Sequence, residues 1–204
     1  MAACGNIIMS VAAILSQPDV VLRQIALTRL AAISEEVKAL ANGKVVFTAT
    51  EAWRATYEQI LCLPDVRHYQ SVAWIRNEDY WQDAPGRRSM QLNYDLRLEG
   101  VRIERILILC DFFWPKGALL PAADIRRWIV QQHNEGIWIG LVRESDIEGE
   151  PDLLTDIGIY GNRATGTWEL DNQCRTVRFT LDFSPQSRLL ANERWLRLLL
   201  FAIP

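Results

Sequence analysis

Two neighbouring stretches decide the fold: RIERILILCD at residues 102–111 and DIRRWIVQQHNEGIWIGLV at residues 124–142. The first is nearly unbroken Ile and Leu from Ile103 to Cys110, which is how a central strand covered on both faces reads. The second opens as a helix over 121–135, with Ile125, Trp128 and Ile129 on one stripe and Gly136 as its stop. It closes as a buried strand at 137–142. Strand, helix and strand form a βαβ unit, which closes as a right-handed crossover.

The same grammar extends upstream. Residues 45–48 form a short β-branched run, followed by a helix to about Leu61, a strand at 69–75 and a helix at 86–98 that ends at Gly100. Downstream of residue 155 the pattern changes. DIGIYGN at 156–162 ends in a two-residue hairpin signal, and the alternation in 164–170 and 176–183 predicts an antiparallel meander with one wet face. A helix over 185–202 closes the chain. The expected class is α/β (α+β): a mixed sheet of about seven strands, helices on both faces, a C-terminal antiparallel meander and an N-terminal helical extension.

That extension occupies residues 1–43, ahead of a single domain at 44–204. Leu22, Ala26, Leu30, Ile33, Val37 and Leu40 recur at steps of three and four, so they share one stripe of a helix that starts at Pro18-Asp19 and stops at Asn42-Gly43. The stripe either covers the sheet of its own domain or pairs with a second copy or another protein. The first 18 residues carry no charge, yet they lack a basic leader segment and are too short and too polar to span a bilayer. A cytoplasmic protein without a membrane partner is the expectation.

The chain has 204 residues, half of them apolar, and a formal charge of −3. That composition excludes disordered and collagenous chains, and the absence of a global positive field argues against nucleic acid as a partner. Arg87, Arg88, Arg97, Arg102 and Arg105 are expected to decorate a solvated face. The four cysteines are far apart and read as reduced and structural. With two histidines, His68 and His133, and no CxxC pair, the sequence offers no zinc site. It also lacks phosphate loops and a serine elbow. No cofactor, no metal and no catalytic residue is expected. The acidic run from Glu144 to Asp152 fails as a calcium loop because Thr155 stands where the bidentate Glu belongs; it reads as a solvated loop.

In open sheets, ligands gather beyond the carboxyl ends of the strands. Asp111 and Trp114 follow the strand at 103–110, Arg143 and Glu144 follow 137–142, and Arg76 and Trp81 follow 69–75. These six are the candidate ligand-binding rim, suited to a small polar or aromatic ligand or a peptide.

The order of elements, with RIERILILCD, the 124–142 helix–strand pair and the DIGIYGN…TVRFTLDF meander, resembles the phospholipase D-like fold over residues 44–204. More narrowly, it is similar to the bacterial regulatory and sensor domains of that fold that lack the catalytic motif. Active members carry His-x-Lys-x-x-x-x-Asp, in which His attacks phosphorus and Lys holds the phosphate. His68-Tyr69-Gln70 and His133-Asn134-Glu135 both lack that lysine. The resemblance therefore implies a non-catalytic ligand- or protein-binding module. The alternative is an enzyme that acts on a phosphorylated small molecule through magnesium held by Asp111 with Glu144 or Asp146.

Overall fold

The computed structural model describes residues 2–48, 51–77 and 84–203, with side chains from residue 5. Its elements run α1 (Ala2–Leu15), α2 (Val20–Ala41), β1 (Lys44–Thr48), α3 (Ala52–Leu61), β2 (His68–Ile75), α4 (Ala84–Leu98), β3 (Arg102–Leu109), α5 (Ala123–Asn134), β4 (Trp138–Arg143), β5 (Asp156–Tyr160), β6 (Ala164–Leu170), β7 (Thr176–Asp182) and α6 (Pro185–Leu199). The mixed α/β class expected from the sequence is what the chain adopts. The contacts divide it into two units, up to Val45 and from Val46 onward.

In the first unit, α1 and α2 are the two helices the apolar stripes predict. Asp19 caps α2 by accepting from the Leu22 amide at 2.9 Å, as expected of an acid at the positive end of the helix. Gly43 ends it in the left-handed region, at φ 73°. No residue of α2 is buried, and Val20, Val21, Ile25, Ile33, Val37 and Leu40 are all more than half exposed. Among the described residues no helix is long and apolar enough to cross a membrane.

The second unit is built on one seven-stranded sheet in the order β1-β7-β6-β5-β2-β3-β4. β2, β3 and β4 are parallel, in register from Ile75 through Leu109 to Arg143. β5 turns the direction by pairing antiparallel with β2, and β6 and β7 continue the meander. At the far edge, Leu141 of β4 exchanges two backbone hydrogen bonds with Ile203, which covers part of that exposed strand.

Strand alternation gives the sheet two different cores. One face is aliphatic: Val72, Ile106, Ile108, Val142, Ile157 and Ile159 pack against Ala191, Trp195 and Leu198 of α6. The other is aromatic: Trp53 and Tyr57 of α3 meet Trp168, Phe179, Tyr69 and Tyr160 at ring-centroid distances of 5.5–6.3 Å. Glycine makes the aromatic face fit. A Cβ at Gly166 would stand 2.7 Å from Phe179 Cε2, and one at Gly158 would stand 3.1 Å from the Tyr160 hydroxyl. Rings approach the sheet closely there because the strand beneath them carries no side chain.

The acidic run is less free than its composition suggests. It folds into two short 3₁₀ turns over Glu144–Ile147 and Pro151–Leu153, anchored by the buried Ile147 and Leu153. Arg197 of α6 bridges Glu150 and Asp152, with one contact of 2.7 Å to the Asp152 carboxylate. The loop is thus strapped to the last helix by a charged fork. Cys62, Cys110 and Cys174 are free thiols.

Candidate functional site

The pleat separates the residues of the predicted rim into two clusters. Trp74, near the end of β2, donates its indole N–H to Glu144 Oε1 at 3.0 Å, and the Arg76 guanidinium stacks on its ring at 4.3 Å. Trp114, in the turn after β3, is buried and donates its indole N–H to the Ala118 carbonyl. Arg143 lies over that ring at 4.4 Å, donates to the same carbonyl at 2.8 Å and approaches Asp146 at 3.6 Å. Such stacks hold a guanidinium by its face and leave its edge for hydrogen bonds. In both arginines the Nε is buried without a hydrogen-bond partner, as is the Ser145 hydroxyl. Asp111 is exposed in the turn after β3. Trp81 lies outside the described residues.

The two histidines sit elsewhere. His133 is exposed in the last turn of α5. His68 opens β2, at the opposite end of the parallel strands from the rim, with Nε2 2.8 Å from Glu104 Oε2. Glu104 also accepts from Gln70 at 3.0 Å and from Arg102. Burial alone would raise the Glu104 pKa, but the hydrogen bonds and charges of His68 and Arg102 outweigh it and hold the group below the usual carboxylate range. A carboxyl with a depressed folded pKa stabilises the fold above its unfolded pKa, and that contribution is lost as the pH falls through the folded value. Glu104→Gln is therefore expected to cost about 1–3 kcal/mol at pH 7. Urea unfolding should show the gap from the wild type closing as the pH drops below the usual carboxylate range and Glu104 takes up its proton.

The sequence reading missed the feature with the strongest electrostatic signature. Arg105 is not on a solvated face: only 8% of it is exposed. Its Nη1 donates to Gln132 Oε1 at 2.5 Å and approaches Met90 Sδ at 3.1 Å, and its Nη2 donates to Asn93 Oδ1 at 3.0 Å. Every one of these partners is neutral, and Nε has none. Taking an ion out of water costs several kcal/mol after relaxation, and a guanidinium cannot escape by losing its proton. Glu104-Arg105 inside a strand covered on both faces was the available signal, since alternation must bury one of the pair on each side.

Beside Arg105 the sheet is hollow. The register runs Arg105–Ser71–Gly158–Gly166 across four strands, three small residues in a row. Rings cover the two glycines, and at the Arg105–Ser71 end of the row lies a cavity of about 40 Å³, lined by Tyr57, Tyr69, Ser71, Arg105, Trp128, Asp156 and Trp168 among others. None of the five described rim residues, Arg76, Asp111, Trp114, Arg143 and Glu144, is among those that line it. Burial pushes the Tyr57 and Tyr69 phenols above their usual range, against the opposing pull of the Arg105 charge. Both are hydroxyl groups at neutral pH. Among the described residues no cluster of three His, Cys, Asp or Glu could hold a metal ion, and Glu144 is already engaged by Trp74. The magnesium arrangement of Asp111 with Glu144 or Asp146 has no geometric support.

No protein-family model matches the chain, and no curated protein matches it. Solved structures do. NucT from Helicobacter pylori, a phospholipase D-family nuclease, aligns with a TM-score of 0.53 at 7% identity, over 78% of this chain and 97% of that one. The resemblance is one of fold. TrmBL2, an archaeal chromatin protein with a novel mode of DNA binding, aligns with a TM-score of 0.43 at 11% identity, over 89% of this chain and 64% of that one. One expectation is corrected: nucleic acid is not excluded as a partner, because the fold that this chain resembles in NucT is one that a nuclease uses. Net charge averages over the whole surface, and a total of −3 says nothing about where individual guanidinium groups stand.

Proposed function

We propose that this chain is a non-catalytic binding module that takes an anionic, acceptor-rich ligand at the strand-end rim through Arg76 and Arg143. The observation that carries the reading is the pair of guanidinium groups, each stacked on an indole and each with a buried Nε lacking a partner. They stand at the carboxyl ends of β2 and β4, where open sheets collect their ligands. Arginine held flat by an aromatic ring presents a fixed fork, which suits phosphate and carboxylate oxygens. The non-catalytic part rests on what surrounds that fork. Glu144 is engaged by Trp74, and both histidines lie away from the rim.

The test is a thermal-shift screen of the full chain against nucleotides, phosphorylated sugars and a mixed oligonucleotide, with product formation followed in parallel. A ligand at a hundred times its Kd adds about 2.7 kcal/mol, a rise of roughly 5–10 °C for a chain of this size. The double variant Arg76→Ala/Arg143→Ala is expected to lose the rise. Turnover of any of these compounds would refute the non-catalytic reading, and an equal rise in the double variant would remove the rim.

A further inference from the structure

We propose that the cavity over Arg105 is a second binding site, for a small monocarboxylate. It shares no residue with the described part of the rim. The donor set is the first argument. Arg105 and Trp168 both line the cavity, and both carry a buried N–H group, Nε and Nε1, with no acceptor. A buried guanidinium held by Gln132, Asn93 and Met90 is a cation that makes no ion pair among the described residues. An anion entering the cavity would supply both the charge and the missing acceptor.

The walls narrow the class. Asp156 lines the same cavity, two residues along β5 from the glycine that neighbours Ser71. One guanidinium balances at most one negative charge, and the Asp156 carboxylate already offsets part of it, so a monoanion is preferred to a doubly charged phosphate. Tyr57, Tyr69, Trp128 and Trp168 supply apolar surface, which suits a short hydrocarbon tail better than a strongly hydrated inorganic ion. A volume near 40 Å³ limits the occupant to a few heavy atoms. Acetate and propionate fit that description.

The experiment titrates the full chain with propionate and acetate at constant ionic strength, with inorganic phosphate and chloride as comparison arms. It reads tryptophan fluorescence, which Trp128 and Trp168 report from the cavity wall, together with the melting temperature. Propionate is expected to bind saturably and to raise the melting temperature, with phosphate and chloride at least tenfold weaker. Arg105→Met replaces the buried ion by an apolar chain of similar length; it should melt no lower than the wild type without ligand and should bind propionate at least tenfold more weakly. Trp168→Phe keeps an aromatic ring in the wall, removes the N–H donor and should weaken binding several-fold, which tests the site even if Arg105→Met fails to fold. Absence of saturation by either carboxylate in the wild type would overturn the proposal, with the cavity then holding water only. So would propionate affinity unchanged in both variants, or equal responses to propionate, phosphate and chloride. Rim binding by the wild type would survive each of these failures, and loss of rim binding would leave this site untouched.

Discussion

Replacing Trp53 with alanine is expected to destabilise the second unit by about 3–5 kcal/mol. Trp53 is 1% exposed and sits at the centre of the aromatic face. Its ring meets Trp168 edge-on at 5.7 Å and Phe179 at 5.5 Å. The cost should fall at the upper end of that range because the site cannot collapse. Beneath the rings lie Gly158 and Gly166, whose backbone is fixed by pairing on both sides. Truncating the indole leaves a void that rigid rings and a sheet cannot fill. Thermal unfolding should show the midpoint falling by roughly 6–20 °C. A fall of less than 3 °C would mean that the aromatic cluster does not hold α3 on the sheet.

Trp195→Ala tests the opposite face and should cost a similar amount, about 3–5 kcal/mol. Trp195 is buried on α6 among branched aliphatic side chains, with Trp138 as its aromatic neighbour at 6.3 Å. The loss should also loosen the acidic loop, because Arg197, two residues on, holds Glu150 and Asp152 from the same helix. The two tryptophans stand on opposite sides of the sheet and share no partner, so urea unfolding of the double variant should give the sum of the single costs within about 0.5 kcal/mol. A clear departure from that sum would show that the faces communicate through the strands.

Much of the architecture was legible because hydrophobic period and turn chemistry agree along most of the chain. The βαβ unit at 102–142, the hairpin at Gly161-Asn162 and the Asp19 cap all follow from adjacent residues. Less legible was what joins distant segments. Nothing near Val72 announces that its strand will pair with Ile157 in the opposite direction, because pairing partners are chosen by the whole core and not by a window of sequence. Arg76, Asp111, Trp114, Arg143 and Glu144 lie at the ends of β2, β3 and β4, yet Arg143 and Glu144 turn to different tryptophans. Trp74, which organises half of the rim, carries no mark in the sequence that sets it apart from its strand neighbours. Arg105 was misjudged for a related reason. An arginine in a run of charges suggests water, whereas the isoleucines and leucines on either side of Glu104-Arg105 specify a strand with no wet face.

The mixed direction of the sheet also dictates an order of events as the chain emerges from the ribosome. β2 and β3 can pair early, since only α4 separates them, and β4 follows after α5. The other margin of β2 must remain open until Asp156–Tyr160 has been made, and β1 must wait still longer for β7. At roughly 5–20 residues per second, the first wait lasts several seconds. Throughout it, a half-built sheet presents an unsatisfied backbone ladder flanked by apolar side chains, the template on which strands of separate molecules join. The nascent protein therefore depends on prompt delivery of its last quarter, and a slow stretch of translation before residue 156 would expose it to clumping that the finished fold resists.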